Sequence, residues 1–260
     1  MRVRVIAFLI LAFMFFPQAG FSDVVTETVT YEQDGKTFEG YLARDDGIEG
    51  KRPGILVVHE WWGLNEFARR QAEELAKMGY NAFALDMYGK DKVTEHPDKA
   101  TEWSGRVAGN VDQWRRRAKR GLDILRNDSY TDKSRIAAVG YCFGGSTVQQ
   151  LAYAGADIRG VVSFHGSLLE PPEGIKGEDT PKILICHGAS DPMTKKKSIP
   201  GYISAMEESG IDWQLIIYGG ARHSFTNPEA DENEMDATAY DESADKRSWK
   251  HMKIFLEELF

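Results

Sequence analysis

Hydrophobic and polar positions change their period several times along this chain. From residue 24, "VVTETVTYEQDGKTFEGYLAR" alternates apolar and polar residues around Asp34-Gly35, the pattern of two strands joined by a tight hairpin. "PGILVVH" is an unbroken apolar run, as expected of a strand covered on both faces. Leu64, Ala68, Ala72 and Leu75 then recur at helical spacing until Gly79 stops the segment. "YNAFALD" predicts a further buried strand. Between residues 98 and 128, Val107, Val111, Trp114, Ala118, Leu122 and Leu125 fall on one stripe and predict a helix. "RIAAVGY", "IRGVVSFHG", "KILICHG" and "DWQLIIY" predict more strands, with helices over residues 144–153, 198–209 and 245–260. Such alternation predicts an α/β fold: an open, mostly parallel sheet with helices on both faces. No repeat, low-complexity linker or break in composition divides residues 23–260, which are expected to form one domain.

The first 22 residues stand apart. Arg2 and Arg4 precede an apolar run from Val5 to Phe16, and Ala19, Gly20 and Ser22 offer small residues at its exit. A charged start, a short apolar centre and a small-residue exit predict a secretory signal peptide. The run is shorter than the roughly 20 residues of a spanning helix, so no stable membrane insertion is expected after cleavage; the alternative is an uncleaved membrane anchor. The mature protein is expected to be exported, periplasmic or secreted. Its formal charge of -8 lacks the basic excess of a nucleic-acid surface. The chain's two cysteines, Cys142 and Cys186, invite a disulfide reading in an exported protein. However, the strand predicted over "GVVSFHG" should separate their strands and keep them unpaired.

In sheets of this kind ligands bind at the carboxyl ends of the strands. Reactive residues gather at those ends: His59-Glu60, Cys142, Asp191 and His223. "VGYCFGG" places Cys142 between a strand and a helix, flanked by Gly140 and Gly144, the context of a nucleophile elbow. The helix N-terminus beneath it favours a thiolate. The alternative is a buried cysteine acting as a small apolar residue. Asp191 alone reads as a turn residue before Pro192, and His223 alone as a solvated loop histidine. In the chain order nucleophile, acid, histidine, the two read as the acid and base of a triad.

"HEWW" opens like a zinc-protease motif, but Gly63 stands where the second histidine would be, and the segment follows a strand. Neither a metal nor another cofactor is expected. The backbone N–H groups of Trp61 and Phe143 are the expected oxyanion donors, with Glu60 projecting into the site. His165 and His187 are expected to be structural, held by backbone groups. Arg115, Arg116 and Arg117 are expected on a solvated face.

Together "HEWWGLN", "FALDMYG", "VGYCFGG", "FHG", "HGASDP" and "ARHSFTNP" resemble the dienelactone hydrolase family of the α/β-hydrolase fold, in family order from about Thr28 to Phe260. The resemblance implies a Cys-His-Asp triad at Cys142, His223 and Asp191. It also implies a glutamate at Glu60 that holds the resting thiol and releases it when substrate arrives. A carboxylate there opposes a permanent thiolate by like-charge repulsion. Sulfur attack suits activated esters and lactones better than amides, so a small ester or lactone is the expected substrate. The family's carboxylate-binding arginine, four residues beyond the histidine, is replaced by Asn227. Arg222 and Arg106 are the other basic candidates, so neutral esters are expected to be preferred over dienelactone. The rival readings are a secreted, non-catalytic binding module and a thiol redox protein, the latter lacking a C-x-x-C motif.

Overall fold

The computed structural model describes residues 23–194, 198–233 and 235–260; the leader expected over residues 1–22 lies outside them. Eight strands are observed: β1 (Val24–Gln33), β2 (Lys36–Asp45), β3 (Arg52–Val58), β4 (Asn81–Leu85), β5 (Thr131–Tyr141), β6 (Gly160–Phe164), β7 (Lys182–Gly188) and β8 (Trp213–Tyr218). They form one sheet in the order β1-β2-β4-β3-β5-β6-β7-β8. Asp34 (φ 49°) and Gly35 (φ 68°) are both left-handed, as a two-residue turn must be to match the twist of its strands. This hairpin lies antiparallel against β4, and all later pairings are parallel.

Six helices cover the sheet: α1 (Glu66–Lys77), α2 (Pro97–Ala108), α3 (Val111–Asn127), α4 (Phe143–Tyr153), α5 (Ser198–Ser209) and α6 (Glu242–Leu259). Ile55, Leu56, Val57 and Val58 are all fully buried, because successive β3 side chains enter opposite cores. Leu56 and Val58 join the core of Trp114, Leu122, Val148 and Met206, from α3, α4 and α5. Ile55 and Val57 join that of Phe67, Leu75, Met252 and Phe255, from α1 and α6. This two-sided cover is the reason the strand is apolar throughout rather than alternating. Among the described residues no helix is long and apolar enough to cross a membrane.

Two expectations need correction. The stripe between residues 98 and 128 is divided between α2 and α3. Asn110 caps α3 by accepting a hydrogen bond from the Gln113 N–H at 3.0 Å, since a short amide side chain competes for helical donors. Val111 therefore begins a new helix and is 43% exposed rather than part of the buried stripe. Nor do the three arginines share a solvated face. Arg117 lies one turn beyond Trp114 and is buried; it donates to the Met87 carbonyl at 2.6 Å and lies over the Phe38 ring. Its long stem lets a charged residue occupy a core-facing position while the guanidinium finds an acceptor.

Strand β6 separates β5, which leads into Cys142, from β7, which contains Cys186, and both thiols are free. Thiol titration of denatured, unreduced protein is expected to find both groups reactive. An intramolecular crosslink seen by mass spectrometry would contradict this strand order.

Candidate active site

Cys142 stands at the turn between β5 and α4, with φ 53° and ψ -113°. A non-glycine residue in that region is strained by about 1–3 kcal/mol, so its surroundings must impose the conformation. A Cβ on Gly140 would lie 2.0 Å from the Gly144 carbonyl oxygen, and one on Gly144 would lie 2.1 Å from that of Val58. The flanking glycines thus allow backbone to touch backbone, while the unusual φ falls on the cysteine itself. The Cys142 N–H is shared between the Phe164 carbonyl at 3.0 Å and His165 Nδ1 at 3.1 Å. With Nδ1 accepting, His165 Nε2–H donates to Thr226 Oγ1 at 2.8 Å. Burial holds this imidazole well below the usual histidine range, so it is a neutral brace for the turn. Its partners are one backbone group and one side chain. His187 is also buried, but its Nδ1 has no hydrogen-bond partner among the described residues.

Helix α4 begins at Phe143, and its first observed helical bond runs from the Ser146 N–H to the Cys142 carbonyl. The N–H of Phe143 is among the first-turn donors that a helix cannot satisfy internally. It lies next to the thiol at the positive end of the helix.

His223 and Asp191 arrive on the loops after β8 and β7. His223 Nδ1 donates to Asp191 Oδ2 at 2.8 Å, and Asp191 Oδ1 accepts from the Met193 N–H at 2.8 Å. Burial disfavours the Asp191 carboxylate, but the His223 bond and charge outweigh it and lower its pKa. Burial also disfavours a charged His223. Cys142 and Asp191 together prevail over it and hold the imidazole well above its usual range. Nε2 is left with no hydrogen bond of good geometry, and Cys142 and His223 line the same cavity.

Glu60 is only 1% exposed, and burial raises its pKa. Ser224 Oγ donates to Oε1 at 2.7 Å and Asn227 Nδ2 donates to Oε2 at 2.8 Å. These bonds take the place of the expected contact with the thiol. His59 Nε2 accepts from the Met87 N–H at 3.1 Å. Its Nδ1–H is therefore free to donate to the Glu60 carbonyl, which orients the peptide that carries the Trp61 N–H.

The cavity above Cys142 has a volume of about 250 Å³. Trp61, Trp114, Phe143 and Met193 form apolar walls, and Ser104 and Thr194 add hydroxyls. Among the described residues the lining contains neither lysine nor arginine. Arg106 pairs with Glu102 at 2.8 Å, Arg222 donates to the Asp236 carbonyl at 3.0 Å, and Asn227 is engaged with Glu60. Sequence reasoning missed the roles of Ser224 and Asn227 as donors to Glu60. It also missed Trp114 and Met193 as cavity walls, because periodicity identifies a buried face but not a cavity within it. No cluster of three or more His, Cys, Asp or Glu residues able to hold a metal occurs among the described residues.

Comparisons with known proteins place the chain among relatives of one family. The dienelactone hydrolase-like promiscuous phosphotriesterase P91, from metagenomic libraries, is 36% identical; the similarity covers 91% of this chain and 99% of that one, with a TM-score of 0.86. The solved structure m3DLH is 35% identical, covering 91% and 99% with a TM-score of 0.87. A protein of Saccharolobus solfataricus that carries the inferred name carboxymethylenebutenolidase is 24% identical, over 89% of this chain and 98% of its own. Residues 38–260 match the Dienelactone hydrolase family, and with the α/β-hydrolase sheet in place the chain belongs to that family.

Proposed function

We propose that this protein hydrolyses small, neutral carboxylic esters or lactones through a Cys142 thiol ester. The observation that carries this reading is the shared cavity in which a strained, half-buried Cys142 meets a His223 anchored by Asp191. His223 Nε2 takes the thiol proton, and the sulfur attacks the substrate carbonyl carbon. The negative charge that develops on the carbonyl oxygen is met by the N–H groups of Phe143 and Trp61. As the tetrahedral intermediate collapses, the C–O bond breaks and the alkoxide receives the proton from Nε2. With a lactone the alcohol remains attached to the acyl group. Nε2 then deprotonates a water that attacks the thiol ester, and the thiolate leaves. Asp191 keeps Nδ1 protonated, so Nε2 remains the basic nitrogen throughout. Residues 23–260 supply this chemistry as one unit, and residues 1–22 direct its export.

Support for the substrate class comes from a lining that, among the described residues, has no lysine or arginine and from the family relationship. A carboxylate-bearing lactone would have to shed water with no lysine or arginine among the described lining residues to receive its carboxylate. Losing one charge-assisted contact costs about 1.5–3 kcal/mol, or roughly one to two decades in specificity. The ratio of kcat/KM for p-nitrophenyl acetate to that for an anionic dienelactone should therefore favour the neutral ester. Preference for the anionic lactone would refute the neutral-substrate assignment. Asn227→Arg is not expected to reverse it, because the new guanidinium meets the buried Glu60 carboxylate first. The same lining would accept a neutral phosphotriester, the substrate type for which the relative P91 is named.

The decisive test is rapid quenching of purified protein with p-nitrophenyl acetate. A peptide containing Cys142 should carry one acetyl group. Hydrolysis without acylation of that peptide would exclude the mechanism, and absence of hydrolysis would favour a binding module.

A further inference from the structure

Glu60 is a buried carboxylate beside the catalytic histidine for which the reaction above has no step. Its two oxygens are held by two donors from the loop that carries His223. Neither donor is held loosely. Ser224 adopts φ 56°, a conformation strained for a residue with a side chain, and the Asn227 N–H closes the turn onto the Ser224 carbonyl at 2.9 Å. Asn227 Oδ1 accepts from the Glu229 N–H at 3.0 Å. That bond fixes the orientation of the amide, so its NH2 must face Glu60. On the other side, Glu60 is clamped through its carbonyl by His59. The carboxylate therefore links the peptide bearing the Trp61 N–H to the loop bearing His223.

Resting on the hydrolase reading, we propose that Ser224 and Asn227 are positioning residues that hold Glu60 away from the thiol, leaving Cys142 reactive in the absence of substrate. Asn227 matters because it is neutral. An arginine at this position could leave Glu60 to follow an anionic substrate, whereas the asparagine amide has no charge for such a substrate to attract. Glu60 then remains fixed, and its link between the two loops keeps the Trp61 N–H in register with His223. A dynamic latch becomes a static brace.

His223 and Tyr88 are the titratable groups that act on Cys142, and Asp191, the buried His165 and His187, and Glu60 act in turn on His223. If Glu60 loses both donors, the His223 imidazolium, whose charge already acts on it, and the Cys142 thiol, in the cavity lined by the neighbouring Trp61, become competing proton donors. Either contact reduces attack by sulfur.

The test measures alkylation of resting protein by iodoacetamide across mildly acidic to mildly alkaline pH, counting only modification of the Cys142 peptide. Wild type should react readily at neutral pH. The double variant Ser224→Ala/Asn227→Ala should react about tenfold or more slowly there, with its profile displaced to higher pH; displacement of a catalytic group by about an ångström can cost a hundredfold. Adding Glu60→Gln should restore much of the lost reactivity, because the charge that captures the proton donors is gone. Asn227→Ala alone should give a smaller change in the same direction, and circular dichroism of each variant checks folding. A wild-type thiol that reacts only under alkaline conditions would overturn the proposal. So would an unshifted profile in the folded variants, or a loss that Glu60→Gln does not relieve. Alkylation requires no ester hydrolysis. Failure here therefore leaves the hydrolase reading to its own acylation test, and failure of that test leaves this readout intact.

Discussion

Replacing Cys142 by alanine is expected to lower kcat for p-nitrophenyl acetate by about a thousandfold or more, the usual loss when a nucleophile is removed from a triad. The protein should remain folded. Cys142 is partly exposed on the cavity floor and packs only at the edge of one core, so its sulfur contributes little core volume. Alanine also fits the space, although it inherits the strained φ of 53°. The measurement pairs steady-state hydrolysis with thermal unfolding. Activity near that of wild type, with an unchanged melting curve, would rule out Cys142 as the nucleophile. Cys142→Ser should recover little. Its hydroxyl is far less acidic than a thiol, so the imidazole must do more to activate it.

Asp191→Asn should be nearly as damaging, with kcat at neutral pH falling by about three to four decades. An amide can offer its NH2 to Nδ1, which turns the imidazole into the wrong tautomer. The variant also removes one of the two influences that hold the His223 pKa up, so the His223 ring protons should titrate at lower pH by NMR.

Stability gives an independent readout. The Asp191 pKa is lowered on folding, so its contribution is present above the ordinary carboxylate range and is lost as pH falls through the lowered folded value. The His223 pKa is raised, so its contribution is complete below the ordinary histidine range and is lost as pH rises through the raised value. The pair therefore stabilises the fold most between those limits. Asp191→Asn should cost about 1.5–3 kcal/mol at neutral pH, the range for a hydrogen bond to a charged group. It should also flatten the acid side of the stability profile. A variant with unchanged kcat and an unchanged stability profile would show that the observed 2.8 Å contact serves no such purpose.

The local sequence determined the strands and most of the helices, because a strand buried on both faces must be apolar throughout and an amphipathic helix must repeat its apolar positions. "PGILVVH" and "KILICHG" follow the first rule, and the Ala68, Ala72 and Leu75 stripe follows the second. The order of Cys142, Asp191 and His223 was also legible, because three strand ends on one edge bring their loops together. Periodicity could not show that Asn110 would start a new helix, since one side-chain cap outweighs a continuous stripe. Nor could it show that Arg117 would be buried with an acceptor supplied by Met87. The partners of Glu60 lay furthest out of reach. Ser224 and Asn227 are separated from it by 164 and 167 residues, and a polar side chain carries no local signal of which distant carboxylate it will meet. Only the closing of the parallel sheet brings those loops within hydrogen-bond distance, and the need to satisfy a buried charge then selects the pairing.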